Sequence, residues 1–303
     1  PVRKRQAAGK EGQDMGLYEL KNDAVAIAVD SHGAELKSLK KLSTGTEYMW
    51  CADAKYWART SPVLFPFVGG LRNNEYRAKG KTYSMTKHGF ARDMDFELLS
   101  QSEKELWFVL KSSEETLKTY PYEFVLKLGY RIEDCKVEVL WQVENPGDEE
   151  LFFSIGGHPA FNCPIEEGAE RRECFVEFGG CEEIASSRIG ESGLVTGCMD
   201  VFALTDGKLA LTENLFDHDA LVVEKNQTDT VALCRRDGSR YLTVTMEAPL
   251  FGVWSPVGKD VPFVCIEPWH GRCDREGFEG TLKEREWGNR IAPGHVWKAS
   301  YVI

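Results

Sequence analysis

The chain has 303 residues, of which 42% are hydrophobic and 28% charged, and its formal net charge is −11 at pH 7. This composition is typical of a globular protein with enough apolar side chains for a core. The negative charge disfavours a nucleic-acid binder, whose affinity depends on Lys and Arg.

The N-terminal residues 1–14 are charged and lack periodicity, so we expect a leader or added extension there and a single domain over residues 15–303. Short segments with a period of two then predict β-strands, at residues 24–29, 106–110, 124–130, 136–143 and 241–246. Residues 62–67 and 112–119 are predicted as short helical turns. Many strands and few helices predict an all-β fold of packed sheets.

The prediction of cellular location rests on three features that the sequence lacks: a membrane span, a hydrophobic leader and a Cys-x-x-Cys pair. No apolar run approaches the length of a membrane span, and no hydrophobic leader is visible. The nine cysteines include no Cys-x-x-Cys pair, so we expect reduced thiols. Together these observations predict a cytoplasmic protein with no membrane or nucleic-acid partner.

Three motifs carry candidate chemistry. His88 lies in KHGFAR (residues 87–92), His158 in GGHPAFN (156–162) and Glu267 in CIEPWHG (265–271). Two imidazoles and a carboxylate are suitable for moving protons on a polar, sugar-like substrate. Each histidine, taken alone, is equally compatible with a turn histidine bonded to a backbone carbonyl. Glu267 ends an apolar run, where a carboxylate must be paired, hydrogen-bonded or shifted in pKa.

Aromatic and basic residues provide candidate sugar contacts. Trp269 offers a flat apolar surface for the C–H face of a pyranose; Phe65, Trp57 and Trp254 are alternatives, and core packing is the competing interpretation for all four. Arg72 follows a Gly-Gly-Leu turn and either donates to a hydroxyl or phosphate or lies on the surface. A His-His-Glu zinc site is the remaining metal alternative, but the spacing is not that of a metal motif, and we expect no metal.

Six motifs follow one another along the chain and include these candidate residues. The motifs are SPVLFP (61–66), GGLRNNEY (69–76), HGFAR (88–92), GHPAFN (157–162), FDHDAL (216–221) and EPW (267–269). The series resembles the aldose 1-epimerase (galactose mutarotase) family and is most similar to the bacterial branch associated with lactose operons. The resemblance runs from about Leu17 to the C-terminus. It implies a galactose mutarotase-like β-supersandwich of antiparallel sheets with a sugar-binding groove.

The resemblance implies roles for individual residues. His158 corresponds to the general acid, Glu267 to the general base, His88 to the second histidine, which would hydrogen-bond the ring oxygen, and Arg72 to the sugar-binding arginine. Together they would open and close the ring of an aldohexose and so interconvert its α and β anomers. A carboxylate beside His158 is expected to raise the pKa of the imidazole, so we expect the rate to fall above neutrality.

The substrate is less closely defined by the resemblance. The hydroxyl-binding aspartate falls on Asp217 or Asp219, of which Asp219 is preferred. The Gly-Phe-Ala-Arg sequence after His88 is shared with hexose-6-phosphate mutarotases, so Arg92 favours a phosphorylated sugar as the alternative to a free aldohexose. A non-catalytic carbohydrate-binding or regulatory protein is the third possibility. We expect a small-molecule sugar as partner, no cofactor, and a monomer or homodimer.

Overall fold

The computed structural model describes residues 16–257 and 261–303, and the leader expected at residues 1–14 lies outside them. Strands dominate the described residues. The first twelve are β1 (Leu17–Lys21), β2 (Val25–Asp30), β3 (Glu35–Lys41), β4 (Thr46–Glu47), β5 (Val63–Leu64), β6 (Glu75–Ala78), β7 (Lys81–Ser84), β8 (Glu97–Gln101), β9 (Glu105–Lys111), β10 (Val125–Glu133), β11 (Lys136–Glu144) and β12 (Leu151–Phe153). The others are β13 (Ile155–Gly157), β14 (Ala160–Asn162), β15 (Phe175–Phe178), β16 (Glu183–Ile189), β17 (Val195–Ala203), β18 (Lys208–Ala210), β19 (Leu221–Glu224), β20 (Thr230–Cys234), β21 (Arg240–Met246), β22 (Leu250–Trp254), β23 (Phe263–His270), β24 (Asn289–Ile291) and β25 (Val296–Val302).

Helical structure is short. The α-helix α1 (Glu114–Thr119) begins after Ser113, whose hydroxyl accepts from the Thr116 amide at 3.3 Å, while the Thr116 hydroxyl accepts from the Ser113 amide at 2.8 Å. This reciprocal capping box defines the start of the helix. Four 3₁₀ turns complete the set, at Arg72–Asn74, Ala91–Asp93, Arg171–Glu173 and Leu282–Glu284. No helix among residues 16–257 and 261–303 is long and apolar enough to cross a membrane.

Two large antiparallel sheets form the body of the fold. Nine strands follow the order β18-β15-β20-β21-β25-β11-β10-β9-β8, and seven follow β17-β16-β19-β22-β23-β13-β5, with β14 paired to β23 as an eighth. A smaller sheet, β1-β2-β3-β4, is formed by the N-terminal strands. The prediction of an all-β fold of antiparallel sheets is confirmed.

The main core lies between the two large sheets, and the second sheet also buries part of its other face. Val264 and Ile266 of β23 belong to the main core, whereas Cys265 and Trp269 belong to separate apolar clusters on the opposite face. Successive side chains of a strand point to opposite faces, so β23 contributes both to the core and to the outer surface. We call this outer surface of the eight-stranded sheet the site face.

Most of the predicted strands are confirmed. Residues 125–130 and 136–143 lie in β10 and β11, which pair antiparallel as a hairpin. Residues 112–119 contain α1, as predicted. The helical turn predicted at residues 62–67 is wrong: Val63 and Leu64 form β5 and pair with β13. Pairing with the neighbouring strand overrides the local preference of this short apolar segment.

Candidate active site

The two histidines and the glutamate predicted from the sequence meet in one pocket on the site face, with a cavity volume of about 220 Å³. Glu267 is on β23, His158 follows β13, and His88 lies beyond β7. His158 Nε2 is 3.3 Å from Glu267 Oε1. All three side chains are buried. The fold therefore assembles residues that are more than 170 positions apart in the sequence, from His88 to Glu267.

Trp269 forms part of the pocket wall, and its position depends on two glycines. Its indole Nε1 donates to Glu267 Oε2 at 3.3 Å. A Cβ on Gly252 would lie 2.5 Å from the Trp269 ring, and one on Gly156 would lie 2.7 Å from it. Because real Cβ contacts are never this short, only glycine on the two neighbouring strands lets the indole lie across them. The predicted role of Trp269 as a pocket surface is thus consistent with its position.

The His158 ring is enclosed by two further tryptophans. Trp57 stacks on it with ring centroids 4.8 Å apart, and Trp254 contacts it edge-on at 5.4 Å. His158 Nδ1 is buried and makes no hydrogen bond to any described residue. Desolvation by this enclosure, followed by the charge of Lys87, lowers the pKa of His158 to about 3. The expectation that the nearby carboxylate raises the pKa of His158 is therefore wrong, because burial outweighs the carboxylate.

Burial acts on Glu267 in the opposite direction. Desolvation raises the pKa of Glu267 well above its ordinary value, against the charge of Lys87 and the hydrogen bond from Trp269, which both favour the carboxylate. A raised pKa for the carboxyl group and a lowered one for the imidazole both favour the neutral form of each group, with the proton of the pair on Glu267. The pair is therefore uncharged as a whole in the empty pocket.

His88 is held in one tautomer by the backbone. Its Nδ1 accepts from the Gly69 amide at 3.1 Å, so Nε2 carries the proton. Burial, then His158 and Lys87, lower the pKa of His88 well below its usual range. Its backbone has a positive φ of 72°, and so does that of Gly89, where a Cβ would lie 2.3 Å from the Phe65 carbonyl oxygen. His88 is thus a fixed neutral N–H donor, and its ring centroid is 5.7 Å from that of His158.

Charged side chains line the rim of the pocket. Lys87 Nζ lies 3.6 Å from Asp219 Oδ2, and both residues line the pocket together with Arg92. Arg92 Nη2 donates to the Lys87 carbonyl at 2.8 Å. Arg92 Nε is buried without a hydrogen bond to the described residues and lies 3.6 Å from Asp93 Oδ2. Lys87 is the residue that sequence reasoning missed, although it directly precedes His88 in the motif.

Three of the residues predicted to bind sugar lie elsewhere. Arg72 donates from Nη1 to the Phe278 carbonyl and to Glu279 Oε1, and it lines a separate cavity. Asp217 is exposed and does not line the pocket, in contrast to Asp219. Phe65 is fully buried in the main core, where its ring packs against other aromatic rings. The reason is strand alternation: the preceding residue faces the site side, so Phe65 points inward.

Known proteins provide an independent comparison. The sequence model described as Aldose 1-epimerase matches residues 16–303. The chain belongs to the aldose 1-epimerase family. The LacX protein of Lactococcus lactis is similar to this chain, at 32% identity over 297 residues, covering 94% of this chain and 98% of LacX.

Solved structures of this family share the fold. A galactose mutarotase related enzyme from Lactobacillus acidophilus has a TM-score of 0.89 and 34% identity, covering 95% of this chain and 96% of its own. A galactose mutarotase-like protein from Lactobacillus casei ATCC 334 has a TM-score of 0.86 and 27% identity, covering 94% and 98% of the two chains. The expected galactose mutarotase-like β-sandwich is therefore confirmed, and the pocket lies on one of its large sheets.

Proposed function

We propose that this member of the aldose 1-epimerase family interconverts the α and β anomers of an aldohexose by opening and closing the sugar ring. The observation that carries the proposal is the contact of 3.3 Å between His158 Nε2 and Glu267 Oε1 inside a buried pocket. Anomerisation requires one proton to leave the C1 hydroxyl and another to reach the ring oxygen. An imidazole and a carboxyl group that share a single proton meet both requirements.

The proton balance of the reaction matches that pair. In the direction predicted from the family, Glu267 takes the proton from the C1 hydroxyl while His158 gives one to the ring oxygen. The C1–O5 bond breaks, a free aldehyde forms, and the pair ends with its proton on Glu267. Rotation about C1–C2 followed by the reverse transfers closes the ring with inverted configuration. The pair gains and loses no net proton in the complete cycle.

The state with the proton on Glu267 is also the one that burial favours in the empty pocket. Ring closure from the open-chain aldehyde runs the same transfers backwards: Glu267 returns its proton to the C1 oxygen, and His158 takes the proton of the C5 hydroxyl. Each positioned proton-transfer group typically contributes about 10²- to 10⁴-fold to the rate.

The other pocket residues have distinct roles in the proposal. His88 presents a neutral Nε2–H donor that hydrogen-bonds the ring oxygen as negative charge develops there. Trp269 provides a flat apolar wall for a C–H face of the pyranose, while Trp57 encloses the His158 ring on which it stacks. Asp219 and Lys87 on the rim are placed to bind hydroxyl groups, and this supports the preference for Asp219 over Asp217.

The test is the relaxation of a freshly dissolved α-aldohexose, followed by polarimetry. Glu267→Gln and His158→Gln each remove one proton-transfer group and are expected to lose at least about 10²-fold in kcat/KM. Glu103→Gln and His295→Gln make the same changes at exposed positions and should retain the wild-type rate. Full activity in both pocket variants would reject the proposal. Sugar binding in a calorimeter without any rate enhancement in the wild type would favour the carbohydrate-binding alternative instead.

A second candidate, a hexose-6-phosphate mutarotase, is supported by the cations at the pocket. Lys87 and Arg92 both line it, and Arg92 Nε has no hydrogen-bond partner among the described residues. Arg72 does not join Arg92 at the pocket, because Arg72 lines a different cavity. Lys87 takes its place beside Arg92. A phosphate group has oxygens that both cations could bind.

Comparison of two substrates distinguishes these candidates. For a phosphorylated substrate, Lys87→Met should lower kcat/KM for glucose 6-phosphate at least about tenfold more than for glucose. Lys104→Met, at an exposed position that does not line the pocket, provides the matched control. An equal change on both sugars would favour the unphosphorylated aldohexose.

A further inference from the structure

Cys265 is a buried thiol that the proposed proton transfers do not use. It lies two residues before Glu267 on β23, so both side chains are on the site face. Cys265 is fully buried in a cluster that includes Phe263 and contacts Trp254. One ligand atom from each of His158, Cys265 and Glu267 lies within 4.8 Å of the others.

The distances suit a small divalent cation. Zinc binds nitrogen and oxygen ligands at about 2.0–2.1 Å and sulfur at about 2.3 Å in a tetrahedron, whose edges are then about 3.3–3.6 Å. The contact of 3.3 Å between His158 Nε2 and Glu267 Oε1 already equals such an edge. The Cys265 thiol has to approach by roughly 1 Å to complete a face of the tetrahedron. The fourth position is left to water or a sugar hydroxyl from the pocket.

Ligand chemistry and charge favour the same kind of ion. Thiolate and imidazole ligands select zinc-like cations over magnesium or calcium, which prefer oxygen. Cys265 and Glu267 would bind as thiolate and carboxylate, while His158 coordinates through a neutral ring nitrogen. A divalent cation with one thiolate and one carboxylate has no net charge. A buried site that is neutral overall avoids the desolvation cost of an unpaired charge.

We propose that His158, Cys265 and Glu267 form a binding site for a zinc-type divalent cation, and that the bound ion blocks proton transfer by the His158–Glu267 pair. A cation between His158 Nε2 and Glu267 Oε1 occupies the lone pairs that both groups need for proton transfer, so occupancy and turnover exclude one another. A site of this kind makes the enzyme sensitive to zinc. The inhibition half of the proposal rests on the proposed function, whereas the binding half does not.

Cobalt titration of the full chain tests binding without reference to activity. After treatment with a chelator, Co²⁺ should give an intense sulfur-to-cobalt absorption band at one equivalent per chain, and Zn²⁺ should abolish it. Cys265→Ala should weaken binding at least about tenfold, as should Glu267→Gln, since loss of a ligand costs no less than loss of an outer-shell partner. Cys265→Ser preserves the side-chain size and provides a second variant, and circular dichroism checks the fold of each.

Cys198→Ser is the matched control, because Cys198 is exposed on β17 and away from the pocket residues. It should retain the cobalt band of the wild type. A wild-type chain without the band, or a Cys265→Ala chain with an undiminished band, overturns the metal site. A chain that gives the band but is not inhibited by Zn²⁺ overturns the blocking role alone. Because the spectrum is independent of turnover, a chain without mutarotase activity still tests the site.

Discussion

The pH dependence of the catalysed anomerisation tests how burial divides one proton between His158 and Glu267. The perturbation is acidification, and the quantity is kcat/KM, which reports ionisations of the free enzyme. A second proton on the pair leaves no group to accept the proton of the C1 hydroxyl. Activity should therefore fall on the acid side only where His158 becomes protonated, at its lowered pKa of about 3.

The lowered pKa gives a large difference from an ordinary histidine. At about pH 5 a group with a pKa of about 3 is roughly 1% protonated, whereas one with a pKa of 6.5 is about 97% protonated. The structure thus predicts an essentially constant kcat/KM between about pH 7.5 and pH 5, whereas an unperturbed histidine predicts a loss of about 30-fold. On the alkaline side, kcat/KM should decline where the raised pKa of Glu267 is passed and the pair loses its last proton.

Polarimetry of an unphosphorylated aldohexose is the appropriate assay, because such a sugar has no group that titrates in this range. The spontaneous rate is subtracted at each pH and the buffer contribution extrapolated to zero, while circular dichroism confirms that the fold persists at the acid end. A loss of about 30-fold with an apparent pKa near 6.5 would refute the argument that burial controls His158. An alkaline limb without any decline would refute the role of Glu267 as the holder of the proton.

Three further predictions concern the pocket and its scaffold. Gly252→Ala places a Cβ 2.5 Å from the Trp269 ring and should lower the free energy of unfolding by about 1–3 kcal/mol and reduce activity, as urea unfolding and polarimetry would measure. Between about pH 3 and pH 6.5, His158 is neutral in the folded chain and protonated in the unfolded chain. Lowering the pH from about 7.5 to about 5 should therefore reduce the free energy of unfolding of the wild type by about 2 kcal/mol more than that of His158→Asn, as urea unfolding at both pH values would measure. Ser113→Ala removes the cap of α1 and should lower the free energy of unfolding by about 1 kcal/mol without changing kcat/KM.

The parts of the fold that sequence predicts well are those determined by local alternation. In β11 buried residues alternate with half-buried or exposed ones over all nine positions, and β10 departs from this pattern only at the buried Gly129; the turn between the strands is short. The segment at residues 62–67 lacks such a pattern, because both residues of β5 are buried, one on each side of the sheet. Periodicity does not distinguish a short fully buried strand from a helical turn.

The proximity of His88, His158 and Glu267 was predictable from the sequence, but the pKa shifts of these residues were not. Motif order pointed to His88, His158 and Glu267, and the fold brings the three together. The low pKa of His158 depends on enclosure by Trp57, which lies about a hundred residues earlier in the chain and on a different segment. Desolvation of this kind depends on the tertiary fold and has no local signature.

Local sequence also does not determine which charged residues reach the rim of the pocket. Asp217 and Asp219 share the same local composition, but Asp219 adopts a positive φ of 67°, and its side chain lies within 3.6 Å of Lys87. The preference for Asp219 came from the resemblance, because the local sequence of this turn does not distinguish the two aspartates. Arg72 lies in the GGLRNNEY motif that pointed to sugar binding, yet its guanidinium donates to the Phe278 carbonyl and to Glu279.

The packing of Trp269 over Gly156 and Gly252 restricts how this pocket can change over evolution. Any side chain at either glycine displaces the indole, so mutations on the sheet would alter catalysis and stability together. Lys87 and Asp219, in contrast, project from connecting segments and can be exchanged without repacking a strand. New sugar preferences should therefore arise by substitution at the rim, while Glu267 and Trp269 on β23 and the two glycines beneath the indole are retained.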